Sequence, residues 1–134
     1  MMKIYNNPLE LGIRGCFAIY YNHPIHMTIN KIAYLDYMTI YSKKFIGIES
    51  LHPEVPMHQM EFLLRFELLK NGLNQMIKKN FLNISYENYN LYYIRGENLF
   101  SFINLLDSDY HIQLLERSKR VIDTFGHLSE GELY

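Results

Sequence analysis

The stretch 60–95 constrains the fold most, because its apolar spacing changes period once, partway along. Up to Ile77 the spacing is helical. Met60, Leu63, Leu64 and Leu68 mark one apolar stripe, and Phe62, Phe66, Leu69, Leu73, Met76 and Ile77 mark a second, rotated one. A helix apolar on two faces must be covered on two faces, which predicts that it is the central element of the core. Residues 81–86 and 91–94 then read as two short strands around the polar turn Glu87-Asn88-Tyr89-Asn90. Between helix and strands stands Asn80, a residue able to take the left-handed conformation that ends a helix. Lys78 and Lys79 before it suit the negative end of the helix dipole.

A helix feeding directly into a hairpin is the back half of a winged helix. Upstream, Pro8 suits a helix start, and Leu9, Ile13, Cys16, Phe17 and Tyr20 share one helical face up to Asn22-His23-Pro24, where proline forces a break. Thr28 is a candidate N-cap for a helix over 29–42 that is apolar almost all round. Residues 45–57 form a long loop with Gly47, Pro53 and Pro56. In the 58–79 helix, Gly72 either lets another helix approach closely or marks a break. After the hairpin (81–95), Gly96 turns the chain into a short helix over 97–106. Asp107-Ser108-Asp109 caps a last one over 110–125, Gly126 ends it, and 127–134 is an acidic tail. The expected fold is mainly α with a small β-hairpin, a winged-helix-like single domain over 1–134 with a C-terminal helical extension.

Length and an apolar content of 49% suit one domain with a real core. One cysteine, Cys16, cannot close an internal disulfide, no apolar run nears the ~20 residues of a membrane helix, and no signal pattern opens the chain. A soluble cytoplasmic protein without membrane contact is expected. Net charge is −1, unevenly spread: 65–95 carries +3 and 96–134 carries −4. Three charges make a thin footprint for counterion-driven nucleic-acid binding. The 12 tyrosines fit core and interface positions better than base-stacking platforms.

Asp36 falls inside an apolar helix, where a carboxylate needs a partner such as Arg65, a histidine or a tyrosine hydroxyl. A catalytic acid is the alternative, and no second carboxylate accompanies it. His52, His58 and Glu61 have a spacing that invites a metal, with His58 and Glu61 on one helical face, but they lack the tight ligand pair of known zinc sites. The expectation is no metal and no cofactor, with these residues satisfying the loop and the helix N-terminus. Asn74, Gln75, Lys78, Lys79 and Arg95 are the residues that would face nucleic acid if the helix and wing bound it. There is no GxxxxGK[ST] loop and no evident nucleophile–base pair.

Several short motifs carry a resemblance in their order: Asn7-Pro8-Leu9-Glu10-Leu11-Gly12, then Leu35-Asp36-Tyr37, then Ser50-Leu51-His52-Pro53 with Pro56 and His58. Glu61, Leu63, Arg65, Leu69, Gly72 and Leu73 complete the series. Over about 6–125 the chain resembles the winged-helix middle component 2 family of bacterial ABC three-component, Lamassu-like conflict systems. Two positions depart: Asn80 stands where a glycine is expected, and Phe66 where a second arginine often accompanies Arg65. The resemblance implies a non-catalytic adaptor linking an SMC/Rad50-like ABC ATPase to an effector, often a nuclease, in antiphage or antiplasmid defence. The alternatives are a winged-helix DNA-binding regulator, in which DNA is contacted directly, and a small metal-dependent enzyme.

Overall fold

Asn7 and Pro8 start the first helix. The Asn7 side chain accepts a hydrogen bond from the Glu10 N–H at 2.9 Å, and Pro8 sits in the first turn, where its missing N–H costs nothing. This helix, α1 (Pro8–Tyr21), is the hub of the computed structural model, which describes residues 7–40 and 58–129 and, for 58–63, the backbone alone. Every residue from Leu11 to Ile19 is buried. α1 carries only Glu10 and Arg14 as charged side chains, so little prevents its being covered all round.

The second helix, α2 (Ile29–Ile40), is capped by Thr28, whose Oγ1 accepts from the Lys31 N–H at 3.3 Å. The third, α3 (His58–Lys78), crosses α1 at a pair of glycines. A Cβ on Gly12 would stand 2.6 Å from the Gly72 carbonyl oxygen, and one on Gly72 would run into the Pro8 carbonyl. Of the two roles open to Gly72, close approach is the one realised, and the helix runs on unbroken. The two-stripe reading put α3 at the centre of the core. The structure gives that place to α1: Leu69, Leu73 and Met76 of α3 are buried, but Leu64 of the other stripe is largely exposed. The outer side of α3 carries Glu67, Lys70 and Lys78, which stay in water.

Asn80 ends α3 with φ 62°; its N–H bonds Ile77 O and the Phe81 N–H bonds Met76 O, each at 3.0 Å, closing a Schellman cap. Strands β1 (Leu82–Glu87) and β2 (Asn90–Arg95) pair antiparallel, Leu82 opposite Arg95 and Glu87 opposite Asn90. Asn88 and Tyr89 turn the hairpin at φ 51° and 68°, both left-handed as a type I′ turn requires. A third rung comes from the segment between α1 and α2, where the Tyr93 N–H donates to Met27 O at 2.8 Å. Helix, rung, helices, hairpin is a winged-helix-like order, in a structure that is mainly helical with one two-stranded antiparallel sheet.

α4 (Leu99–Leu105) begins two residues later than the spacing predicts. The Gly96 N–H bonds Phe81 O at 3.0 Å and the Asn98 N–H bonds Asn80 O at 2.9 Å, so this stretch closes the corner after α3 instead of starting a helix. α5 (Asp109–Phe125) is capped by Ser108 and buries Leu114, Ser118, Val121 and Ile122 against α1 and α2. Its end is pinned by Asn22, whose Nδ2 reaches Gly126 O at 3.0 Å and Met27 Sδ at 3.2 Å. No described helix is long and apolar enough to cross a membrane.

Candidate functional site

Asp36, in the middle of α2, is buried, and each of its carboxylate oxygens receives an arginine. Arg14 Nε of α1 donates to Oδ1 at 2.7 Å, and Arg65 Nη2 of α3 donates to Oδ2 at 2.6 Å. All three residues are at most 6% exposed. Burial pulls the Arg14 guanidinium down, and the charge and hydrogen bond of Asp36 more than offset it, leaving Arg14 above its ordinary value. Tyr110 of α5 lies beside Arg14; burial pushes its hydroxyl up, partly opposed by that guanidinium. One ionic node thus ties α1, α2 and α3, with α5 against it.

The node has the wrong shape for chemistry on a ligand. Both Asp36 oxygens are committed, and the cavity lined by Arg14, Asp36, Thr39 and Ser118 measures about 10 Å³, room for one water at most. Nearby, His111 Nε2 approaches Glu10 Oε1 at 3.4 Å while Nδ1 meets the Ser108 hydroxyl at 2.7 Å. The two side chains meet where the start of α5 lies against α1. Cys16 is buried, which pushes its thiol up and keeps it protonated.

Sequence reasoning named Arg65 among the partners of Asp36 and passed over Arg14. Its signal was the same as that of Asp36, a lone charge inside an apolar helix. Phe66 holds the place of the second arginine expected beside Arg65, and the second guanidinium on Asp36 belongs to Arg14. Tyr37, next to Asp36, is partly buried against the core. Gly72 lies at the α1–α3 crossing. His52 and Pro53, and the side chains of His58 and Glu61, lie outside the described residues. Among the described residues no three His, Cys, Asp or Glu side chains group as metal ligands.

The five residues proposed to face nucleic acid are all exposed. Asn74, Gln75 and Lys78 lie on the last turns of α3 and Lys79 just beyond it. Arg95, at the end of β2, is engaged: its Nη2 donates to Tyr20 O at 2.7 Å and its guanidinium lies 4.8 Å from the centre of the Tyr20 ring. Beside Arg95 a surface pocket of about 140 Å³ opens between the 23–26 turn and β2, with Ile19, Ile25 and Ile94 on its walls. On the polar face of the hairpin, Glu87 binds His26 Nδ1 at 2.6 Å and the Ser85 hydroxyl at 2.9 Å. The Ser85 bond and then the His26 bond hold the Glu87 carboxyl below its ordinary value.

A family model described as ABC-three component (ABC-3C) system Middle Component 2 matches residues 4–134. No curated protein and no solved structure matches the chain.

Proposed function

The chain belongs to the Middle Component 2 family of ABC three-component systems, and from that premise we propose that it is a non-catalytic adaptor. In this reading it is a single cytoplasmic domain that joins an SMC/Rad50-like ABC ATPase to an effector, possibly a nuclease, in an antiphage or antiplasmid complex. The observation that carries the reading is where the motif residues of the family resemblance are spent. Gly12 meets Gly72, Asp36 binds Arg65, and Asn7 caps α1, so these residues brace helices against one another. A subunit braced in this way offers its partners a stiff body with formed surfaces. Co-expression of the tagged chain with the ATPase and effector components of its own system tests it. Co-elution of the ATPase through gel filtration is expected; a chain that elutes alone would overturn the reading.

One observation supports a second reading, a winged-helix DNA-binding regulator. Asn74 and Lys78 follow one another at helical spacing on the exposed side of α3, with Gln75 and Lys79 beside them. That reading requires salt-dependent retardation of duplex DNA by the isolated chain, lost in a Lys78→Glu/Lys79→Glu variant.

A further inference from the structure

Ile19 of α1, Ile25 of the 23–26 turn and Ile94 of β2 line the pocket beside Arg95, with His23, His26 and Arg95 as its polar members. Ile19 is buried and Ile25 is 42% exposed, so the apolar lining reaches from the interior to the surface. The adaptor reading makes no use of this pocket.

Its walls are set by hydrogen bonds of the chain itself. The Ile25 N–H bonds Asn22 O at 2.8 Å, and Met27 O takes the Tyr93 N–H at 2.8 Å, which fixes the turn at both ends. Asn22 is in turn tied to Gly126 O at 3.0 Å. A pocket with formed walls costs little ordering when a ligand enters.

Size limits the body of that ligand. The pocket measures about 140 Å³, close to the ~150 Å³ at which an apolar cavity admits a benzene ring. A nucleotide is too large for it. A ring or a branched aliphatic group of similar bulk fits.

Charge selects the head group. No carboxylate lines the pocket, and Arg95 does. A planar guanidinium carries five N–H donors; among the described residues Tyr20 O takes one of them, and the Tyr20 ring covers one face. The group is thereby held in place with donors to spare for a carboxylate. Glu87, bound to His26 Nδ1 at 2.6 Å and to the Ser85 hydroxyl at 2.9 Å, is already committed. His23 and His26 do not make a metal site, because among the described residues no three potential ligands group.

We propose that this pocket binds a small organic acid, its ring-sized apolar body against Ile19, Ile25 and Ile94 and its carboxylate on Arg95. The test titrates the isotope-labelled full chain with benzoate and follows the isoleucine methyl signals by NMR at low salt. Benzyl alcohol, which lacks the charge, and acetate, which lacks the ring, are titrated in parallel. Saturable shifts at Ile25 and Ile94 are expected for benzoate, with a Kd on the order of 1 mM. The two comparison compounds are expected to bind about tenfold more weakly or less. Arg95→Gln is expected to abolish the preference for benzoate over benzyl alcohol. Ile25→Ser, on an exposed turn residue, is expected to weaken benzoate by about tenfold with the rest of the methyl spectrum unchanged. Shifts that do not saturate, or that fall away from the pocket, overturn the proposal. So does benzyl alcohol binding as tightly as benzoate, or wild-type benzoate affinity in a folded Ile25→Ser chain.

Discussion

Asp36 carries one negative charge between two guanidiniums, so the three residues of the node are not equivalent under substitution. Asp36→Ala would leave two like charges buried without the carboxylate they share, at a cost of about 3–5 kcal/mol. Arg65→Met or Arg14→Met would leave a one-to-one pair and fill the space with an apolar chain, so each is expected to cost less. Urea denaturation of the three variants, compared at equal slope, checks the order; an arginine variant as unstable as Asp36→Ala would refute it. Half of this node was legible in the sequence. A carboxylate in the middle of an apolar helix announces a buried partner, and Arg65 was a fair candidate on an adjoining helix. Arg14 was obscured by its own helix, where the reading followed the apolar face of Leu9, Ile13 and Phe17. Only the packing shows that the remaining faces are covered too.

At the scale of elements, α1 and α3 meet backbone to backbone at their crossing, which depends on two absent side chains. Gly72→Ala recovers about 1 kcal/mol of helix propensity, but its methyl group meets the Pro8 carbonyl, a backbone atom that cannot move without moving α1. A net loss of about 2 kcal/mol is expected, read as a lowered thermal midpoint; a gain in stability would show that the helices slide apart freely. The hairpin, by contrast, was written plainly in the sequence as a change of period from helical to alternating, and Asn80 supplied the left-handed end of α3. The late start of α4 was not legible, because the hydrogen bonds that hold Gly96 and Asn98 go to Asn80 and Phe81, contacts set by the corner and not by local spacing. Glu87 gives the wing a pH dependence. Its folded value lies below the ordinary 4.5, so its contribution is present above that pH and is lost as pH falls through the lowered value. Following the Glu87 carboxyl signal by NMR from neutral to acid pH should give a midpoint below 4.5, moving up toward 4.5 in Ser85→Ala.

For the whole molecule, the placement of charge separates the two readings of function. The +3 segment loses much of its reach once folded: Arg65 is buried on Asp36, and Arg95 is bound to the Tyr20 carbonyl and ring. Lys70 and Lys78 on α3 and Lys79 just beyond it remain, while the hairpin's one cation is the engaged Arg95. Three phosphate contacts give a salt exponent of only about −2.7, so affinity falls by roughly 40-fold between 50 and 200 mM salt, starting from a weak value. The isolated chain is therefore expected to leave duplex DNA unshifted at about 150 mM salt, with or without Lys78→Glu/Lys79→Glu. A shift at that salt that the double substitution removes would mean that the α3 surface binds DNA directly, against the distribution of charge described above. The sequence showed the thin cationic excess. It could not show that two of its five cations are occupied inside the fold, because Tyr20 and Asp36 come to Arg95 and Arg65 only through the packing of α1 and α2.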